Sequence, residues 1–161
     1  MDFQQRLQKA IQRGQKANAE HALEERDRAE SEKELQSLHT QYRLELSERI
    51  ERCLTQVADQ YPGFQMESIM DERGWGAAIS RDDIRFHSAS APSTGYSRLE
   101  LCIRPFSSYR VLELVGKATI QNRELFNRTQ YQRLSEADLT TFAEMIDNWS
   151  LEFAELYARK S

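Results

Sequence analysis

The side chains best suited to chemistry in this chain are two cysteines, three histidines and a run of arginines, and their spacing assembles no familiar reaction centre. Cys53 falls on an apolar helical stripe, where a thiol packs as a small hydrophobe. Cys102 has Arg104 two residues away, which favours a thiolate, and Glu113 opposite in the hairpin register derived below, which opposes one. Neither His21, His39 nor His87 has a second His or Cys three or four residues away, so no zinc-type ligand set is expected. His39 beside Leu38 reads as flanking a helical stripe. Asp82 and Asp83 near His87 read first as turn chemistry. Were a catalytic site assembled from distant residues, His87, Asp83 and Cys102 are where it would be sought.

Phosphate-binding motifs are incomplete. Gly116-Lys117-Ala118 has Val111 where a P-loop needs its first glycine, and no Ser or Thr follows the lysine. Gly74-Trp75-Gly76 lacks the third glycine and the long helix of a dinucleotide fingerprint. We therefore expect no catalytic residue, no metal and no cofactor.

The arginines carry more information. There are seventeen against five lysines, and nine lie between Arg73 and Arg133. Tyr96, Phe106, Tyr109, Phe126 and Tyr131 are interleaved with them, a mixture that suits an anionic ligand or single-stranded nucleic acid. The charge balance argues against nucleic acid. Residues 61–134 carry a net of only +2 between flanks of −2 and −4, and the chain as a whole is at −4. Binding of an anionic small ligand or nucleic acid through an Arg/Tyr-rich sheet face is thus the alternative expectation, not the first.

The elements that position these residues follow from periodicity. Strong helix formers fill Asp2 to Gln60, with no proline before Pro62. Residues 1–34 hold only ten apolar side chains, half of them alanine, so they cannot form a globular unit alone. They are expected to be a polar helical arm laced by the pairs Lys16–Glu20, Glu24–Arg28, Arg26–Glu30 and Arg28–Glu32. Leu35, Leu38, Tyr42, Leu46, Ile50, Cys53 and Val57 then form one apolar stripe, ended by Tyr61-Pro62-Gly63. One continuous helix would run about 85 Å, against about 35–40 Å for a body of about 125 residues. It must project, break near Gly14 or lie against another chain.

Arg98–Ile103 and Val111–Ile120 alternate as strands, joined by a turn centred on Ser107-Ser108 that sets Ile103 opposite Leu112 and Leu101 opposite Leu114. Gln121-Asn122 closes a second hairpin onto Glu124–Tyr131. Phe64–Met70 and Trp75–Ser80 flank a turn at Asp71–Gly74, Ile84–His87 adds a short piece, and residues 88–97 read as a loop. Ser135 reads as the N-cap of a last helix whose stripe is Leu139, Phe142, Ile146, Trp149, Phe153 and Leu156. The expected class is α+β: a long N-terminal helix (projecting arm), a four- to five-stranded antiparallel sheet, and a C-terminal amphipathic helix packed on the sheet. The expected division is an arm over 1–34 and a single domain over 35–161.

Two surfaces then suggest partners. The sheet face opposite Leu99, Leu101 and Leu112 mixes apolar and charged side chains, and Arg104, Val111, Val115, Phe126 and Arg128, with Tyr109 and Arg110 in the turn, are its candidate binding residues. That face is open to a partner unless the first-half helix or the Phe64 strand covers it. On the first helix, Phe3, Leu7, Ala10, Gly14 and Ala17, continued by His21, recur at heptad-like spacing as a self-association stripe. The expected function is a non-enzymatic interaction or adaptor module, a homodimer or a binder of another protein. No apolar run approaches the roughly 20 residues of a membrane span. With two cysteines and no signal-like apolar core in the first thirty residues, the expected setting is the cytoplasm.

Overall fold

A computed structural model of the chain describes residues 2–85 and 93–160. In order it holds α1 (Phe3–Gln60), β1 (Gln65–Asp71), β2 (Gly74–Arg85), β3 (Ser93–Ile103), β4 (Val111–Ile120), β5 (Arg123–Arg133), a 3-10 turn (Leu134–Glu136) and α2 (Leu139–Lys160). By compactness these residues fall into two units, Met1–Ser37 and Leu38–Ser161.

The first unit is helix throughout. Asp2 caps it, its Oδ1 accepting the Gln5 N–H at 2.9 Å. Gly14 does not break the helix, because a single glycine costs only about 1 kcal/mol among strong helix formers. The four expected ion pairs do not form. The contact made in this segment is His21 Nε2 to Glu25 Oε1 at 3.1 Å. Fully solvated charges four residues apart gain only a few tenths of a kcal/mol from closing, and water competes on equal terms.

In the second unit the strands form one antiparallel meander in the order β1-β2-β3-β4-β5. Its turns show why each hairpin closes where it does. Gln121 and Asn122 both take positive φ, 49° and 68°, the two-residue geometry whose twist matches that of the strands it joins. The Asn122 side chain fits this turn into the sheet by accepting the Tyr96 N–H at 2.9 Å. Between β1 and β2, Asp71 Oδ1 accepts the Arg73 N–H, and Gly74 supplies the positive φ of 128°.

The β3–β4 register differs from the expected one. Ile103 faces Leu114 and Leu101 faces Gly116, a shift of two residues that keeps every side chain on its anticipated face. The tight turn spans Ser107 to Arg110, with the Arg110 N–H donating to the Ser107 carbonyl at 3.1 Å, so its centre is Ser108-Tyr109. β2 also runs on through Asp82 and Asp83, which pair with Tyr96 and Gly95 of β3 instead of making a turn. Of the expected loop over 88–97, residues 93–97 are strand, while His87 and 88–92 lie outside the described residues. Strand pairing overrides the weak intrinsic preference of these polar residues.

Both helical segments of this unit pack on one face of the sheet. From α1, Arg43 lies over the Trp75 ring at 4.0 Å, and Ser68 donates to Glu51 at 2.8 Å. From α2, Trp149 sits over Gly116, where any Cβ would come within 2.6 Å of its ring. Leu99, Leu101, Ile103, Leu112, Leu114 and Ile120 are fully buried beneath them. The two helices are tied by the Tyr61 hydroxyl, which donates to the Ala154 carbonyl at 3.2 Å. Asp138, not Ser135, caps α2, accepting from the Thr140 N–H at 3.0 Å and the Thr141 hydroxyl at 3.2 Å. Ser135 is taken up by the 3-10 turn, which delays the helix start. Among the described residues no helix is long and apolar enough to cross a membrane.

Candidate functional site

The second sheet face was expected to gather Arg104, Val111, Val115, Phe126 and Arg128, and the structure divides them. Val111 and Val115 are half-buried on that face, beside buried Cys102 and opposite Arg133 and Thr129. Phe126 and Arg128 lie on the other face, because they pair with Ala118 and Gly116 and so share the side of the buried leucines. Phe126 is buried at 6.1 Å from the Trp149 ring. The Arg128 guanidinium lies over Phe126 and donates twice to Glu152 of α2, at 2.6 and 3.0 Å. These two residues fasten α2 to the sheet, so that part of the expected site is corrected. The bulge between Ala118 and Thr119 is the local cause, since it alters the alternation that β5 would otherwise follow.

The remaining candidates sit at one end of the sheet. Arg104 is exposed and donates to the Arg73 carbonyl at 3.1 Å. Tyr109 is 83% exposed in the turn. Arg110 holds φ 55° there, and its carbonyl accepts the Leu134 N–H.

Within the second unit, the α1 segment packs on the opposite face and β1 lies in the sheet itself, so neither covers the second face. Over the part of that face formed by β1, β2 and β3, a network of charges on the sheet is the cover. Arg73 donates to Glu100 at 2.7 Å and to Asp71 at 2.8 Å, and Arg98 donates to Glu67 at 2.9 Å while lying 3.5 Å from Glu100. Glu100 is buried between the two arginines. Beneath them lies a small apolar cluster of Ile69, Ala78 and Cys102. The arginine stems supply the apolar cover and their heads stay paired, which a row of lysines would do less well. Arg49, Arg81 and Arg128 are likewise held by Asp147, Asp83 and Glu152.

An open groove of about 520 Å³ lies between the later part of α1 and α2, lined by Arg49, Arg52, Cys53, Asp147 and Leu151 among others. Its reactive-looking groups are tied to one another. Arg49 makes a two-pronged contact with Asp147 at 3.0 and 2.6 Å, and Cys53 Sγ donates to Asp147 Oδ1 at 3.3 Å. The arginine holds the Asp147 carboxyl below its usual range, making it a poor base at neutral pH. Burial, then the contact with Asp147, pushes the Cys53 thiol up to about 11. Burial, with nearby Glu100, pushes the Cys102 thiol up to about 11 as well. Both thiols should therefore alkylate slowly. At pH 8 the folded chain should label with iodoacetamide about 100-fold more slowly than a free cysteine, from the thiolate fraction alone. Labelling at the rate of a free thiol would contradict these placements.

His39 is the histidine the fold uses. It is buried, its Nε2 lies 3.0 Å from the Arg104 carbonyl, and its ring meets Phe106 edge-on at 5.8 Å. A carbonyl only accepts, so Nε2 carries a proton whether the ring is neutral or charged, and it is burial that disfavours the charged form. Burial lowers its pKa from 6.5, and nearby Arg43 adds to the effect. The unfolded chain therefore takes up a proton first as pH falls. Stability should decline as pH drops below about 6.5, and His39→Gln should flatten that part of a melting-temperature profile. A profile the same with and without His39 would count against the placement. Asp71, Asp147 and Glu152, all held below their usual range by arginines, act in a lower window, where stability is lost as they protonate.

His21 is exposed on α1 and His87 lies outside the described residues, so the trio with Asp83 and Cys102 is not assembled by what is described. Asp83 instead accepts from the Tyr157 hydroxyl at 3.0 Å. Among the described residues no group of three or more His, Cys, Asp or Glu is placed to hold a metal ion. No family model, curated protein or solved structure matches the chain.

The self-association stripe remains. Every residue from Asp2 to Ser31 is exposed, including Phe3 at 76%, Leu7 at 45%, Ile11 at 50% and Leu23 at 56%. Ala10, Gly14 and Ala17 lie along the same stripe, and a Cβ on Gly14 would meet nothing within 4 Å. Ile11, four residues beyond Leu7, widens the stripe on one side, whereas Leu23 falls outside it on the helix.

Proposed function

We propose that this protein is a non-enzymatic interaction module that self-associates through the helix of its first 37 residues. The observation that carries this reading is the exposure of Phe3, Leu7 and Ile11 on a helix that buries no side chain between residues 2 and 31. Helices in proteins draw most of their stability from packing an apolar face, and propensity alone leaves an isolated segment marginal. A second helix laid along the stripe removes that apolar surface from water at roughly 25 cal/mol per Å². The stripe is thin and rich in small residues, so the contact is weak per residue and depends on its length.

The double variant Leu7→Glu/Ile11→Glu tests the reading. It should weaken self-association at least tenfold by size exclusion with light scattering. The thermal transition of the sheet, followed by Trp75 and Trp149 fluorescence, should stay where it was. Association unchanged by this variant would remove the helix from the account.

A further inference from the structure

The charges of the first unit are segregated along its length. Residues 3–19 hold four basic side chains and no acidic one, whereas residues 20–37 hold seven acidic and three basic. The two halves thus carry +4 and −4. The segregation is strongest on one helix face. Positions 6, 13, 20, 27 and 34, one heptad apart, read Arg, Arg, Glu, Asp, Glu, and the neighbouring row 9, 16, 23, 30 reads Lys, Lys, Leu, Glu. All of these belong to one continuous helix. The row beginning at Arg6 flanks the Leu7, Gly14, His21 stripe on one side, which is where flanking charges choose partner and orientation in paired helices.

We propose, resting on the self-association reading, that two copies of this segment pair antiparallel, the basic half of each lying along the acidic half of the other. In this arrangement identical flanking rows face each other. Setting Arg13 beside Glu20 of the second copy brings Arg6 beside Asp27, and symmetry repeats each pair. The two-fold axis falls between residues 16 and 17, where Gly14 and Ala17 of the stripe are small enough for the helices to approach closely. A parallel pair would instead stack four basic side chains on four and an excess of acids on the same excess. Like-charge juxtaposition along a helix pair is what selects against an alternative partner or orientation.

Spin-label distances on the full-length chain test this. A nitroxide is placed at one of two exposed positions, through Gln4→Cys or Asn18→Cys, with the unaltered chain as background for Cys53 and Cys102. Both sites occupy the same heptad position, so lateral offsets cancel between them. Antiparallel pairing places the two labels at position 4 about 38 Å apart along the axis and those at position 18 within about 5 Å, from the 1.5 Å rise per residue. Equal, short distances from both sites overturn the antiparallel orientation while leaving self-association standing. No dipolar coupling from either site, with a monomeric mass at high micromolar concentration, overturns both.

Discussion

Gly76→Ala is expected to lower the folding free energy by about 3 kcal/mol or more, well beyond the ordinary effect of a single surface change. Gly76 lies in β2 opposite Cys102 of β3, inside the sheet. A Cβ there would run into the Leu101 carbonyl oxygen and stand 2.8 Å from the Cys102 Cα. Both are backbone atoms of a strand paired on each side, by β2 and by β4, so no side-chain rotation relieves the clash. The β2–β3 pair must part locally, and the Ile69, Ala78 and Cys102 cluster with it. A urea melt reads the effect as a shift of midpoint. A variant within about 0.5 kcal/mol of the unaltered chain would show that the strands are not this close.

Phe153→Ala should cost about 3–5 kcal/mol, a large part of the 5–15 kcal/mol typical of a domain. Phe153 is fully buried on α2. Its ring meets Phe64 edge-on at 6.2 Å and stacks on Tyr157 at 6.0 Å, and Tyr157 in turn meets Tyr61 at 4.8 Å. This aromatic group joins α2 to the end of α1 and the start of β1, so truncation opens a cavity at a junction of three elements. Loss of near-ultraviolet dichroism ahead of the main thermal transition would mark α2 detaching first. A cost below about 1 kcal/mol would contradict the packing described.

How much of this was legible beforehand depends on what kind of information each element needed. The stripe Phe142, Ile146, Phe153 is local, and its spacing placed α2 against the sheet. Alternation placed Leu99, Leu101 and Ile103 on the buried face, and the two-residue shift of β4 left that intact because a strand repeats every two residues. The register itself was not legible. It depends on which residues of Pro105–Arg110 form the tight turn, and the turn settled one step further along than symmetry about the serines suggested. The faces of Phe126 and Arg128 required knowing of a bulge in β5. Asp82 and Asp83 carried turn chemistry in isolation, yet in the sheet they extend β2, with Tyr157 and Arg81 taking up the Asp83 carboxylate.

The candidate surfaces divide in the same way. The mixed character of the second sheet face was visible, but not that Arg73 and Arg98 would fold over Ile69 and Cys102 and hold Glu100 between them. Long side chains from β1, β3 and the turn after β1 meet there, and no local pattern encodes that meeting. The helical spacing from Phe3 to Ala17 was legible, since it needs only the period of one helix. Its lack of a cover, with every residue from Asp2 to Ser31 exposed, is what the structure adds.

Sedimentation equilibrium of the unaltered chain at high micromolar concentration tests the central claim most directly. The account predicts a concentration-dependent mass approaching twice the 18.8 kDa of one chain. The association should weaken at high salt, as charges between exposed helices are screened. A single species of 18.8 kDa across the whole concentration range, at low and high salt alike, would contradict it.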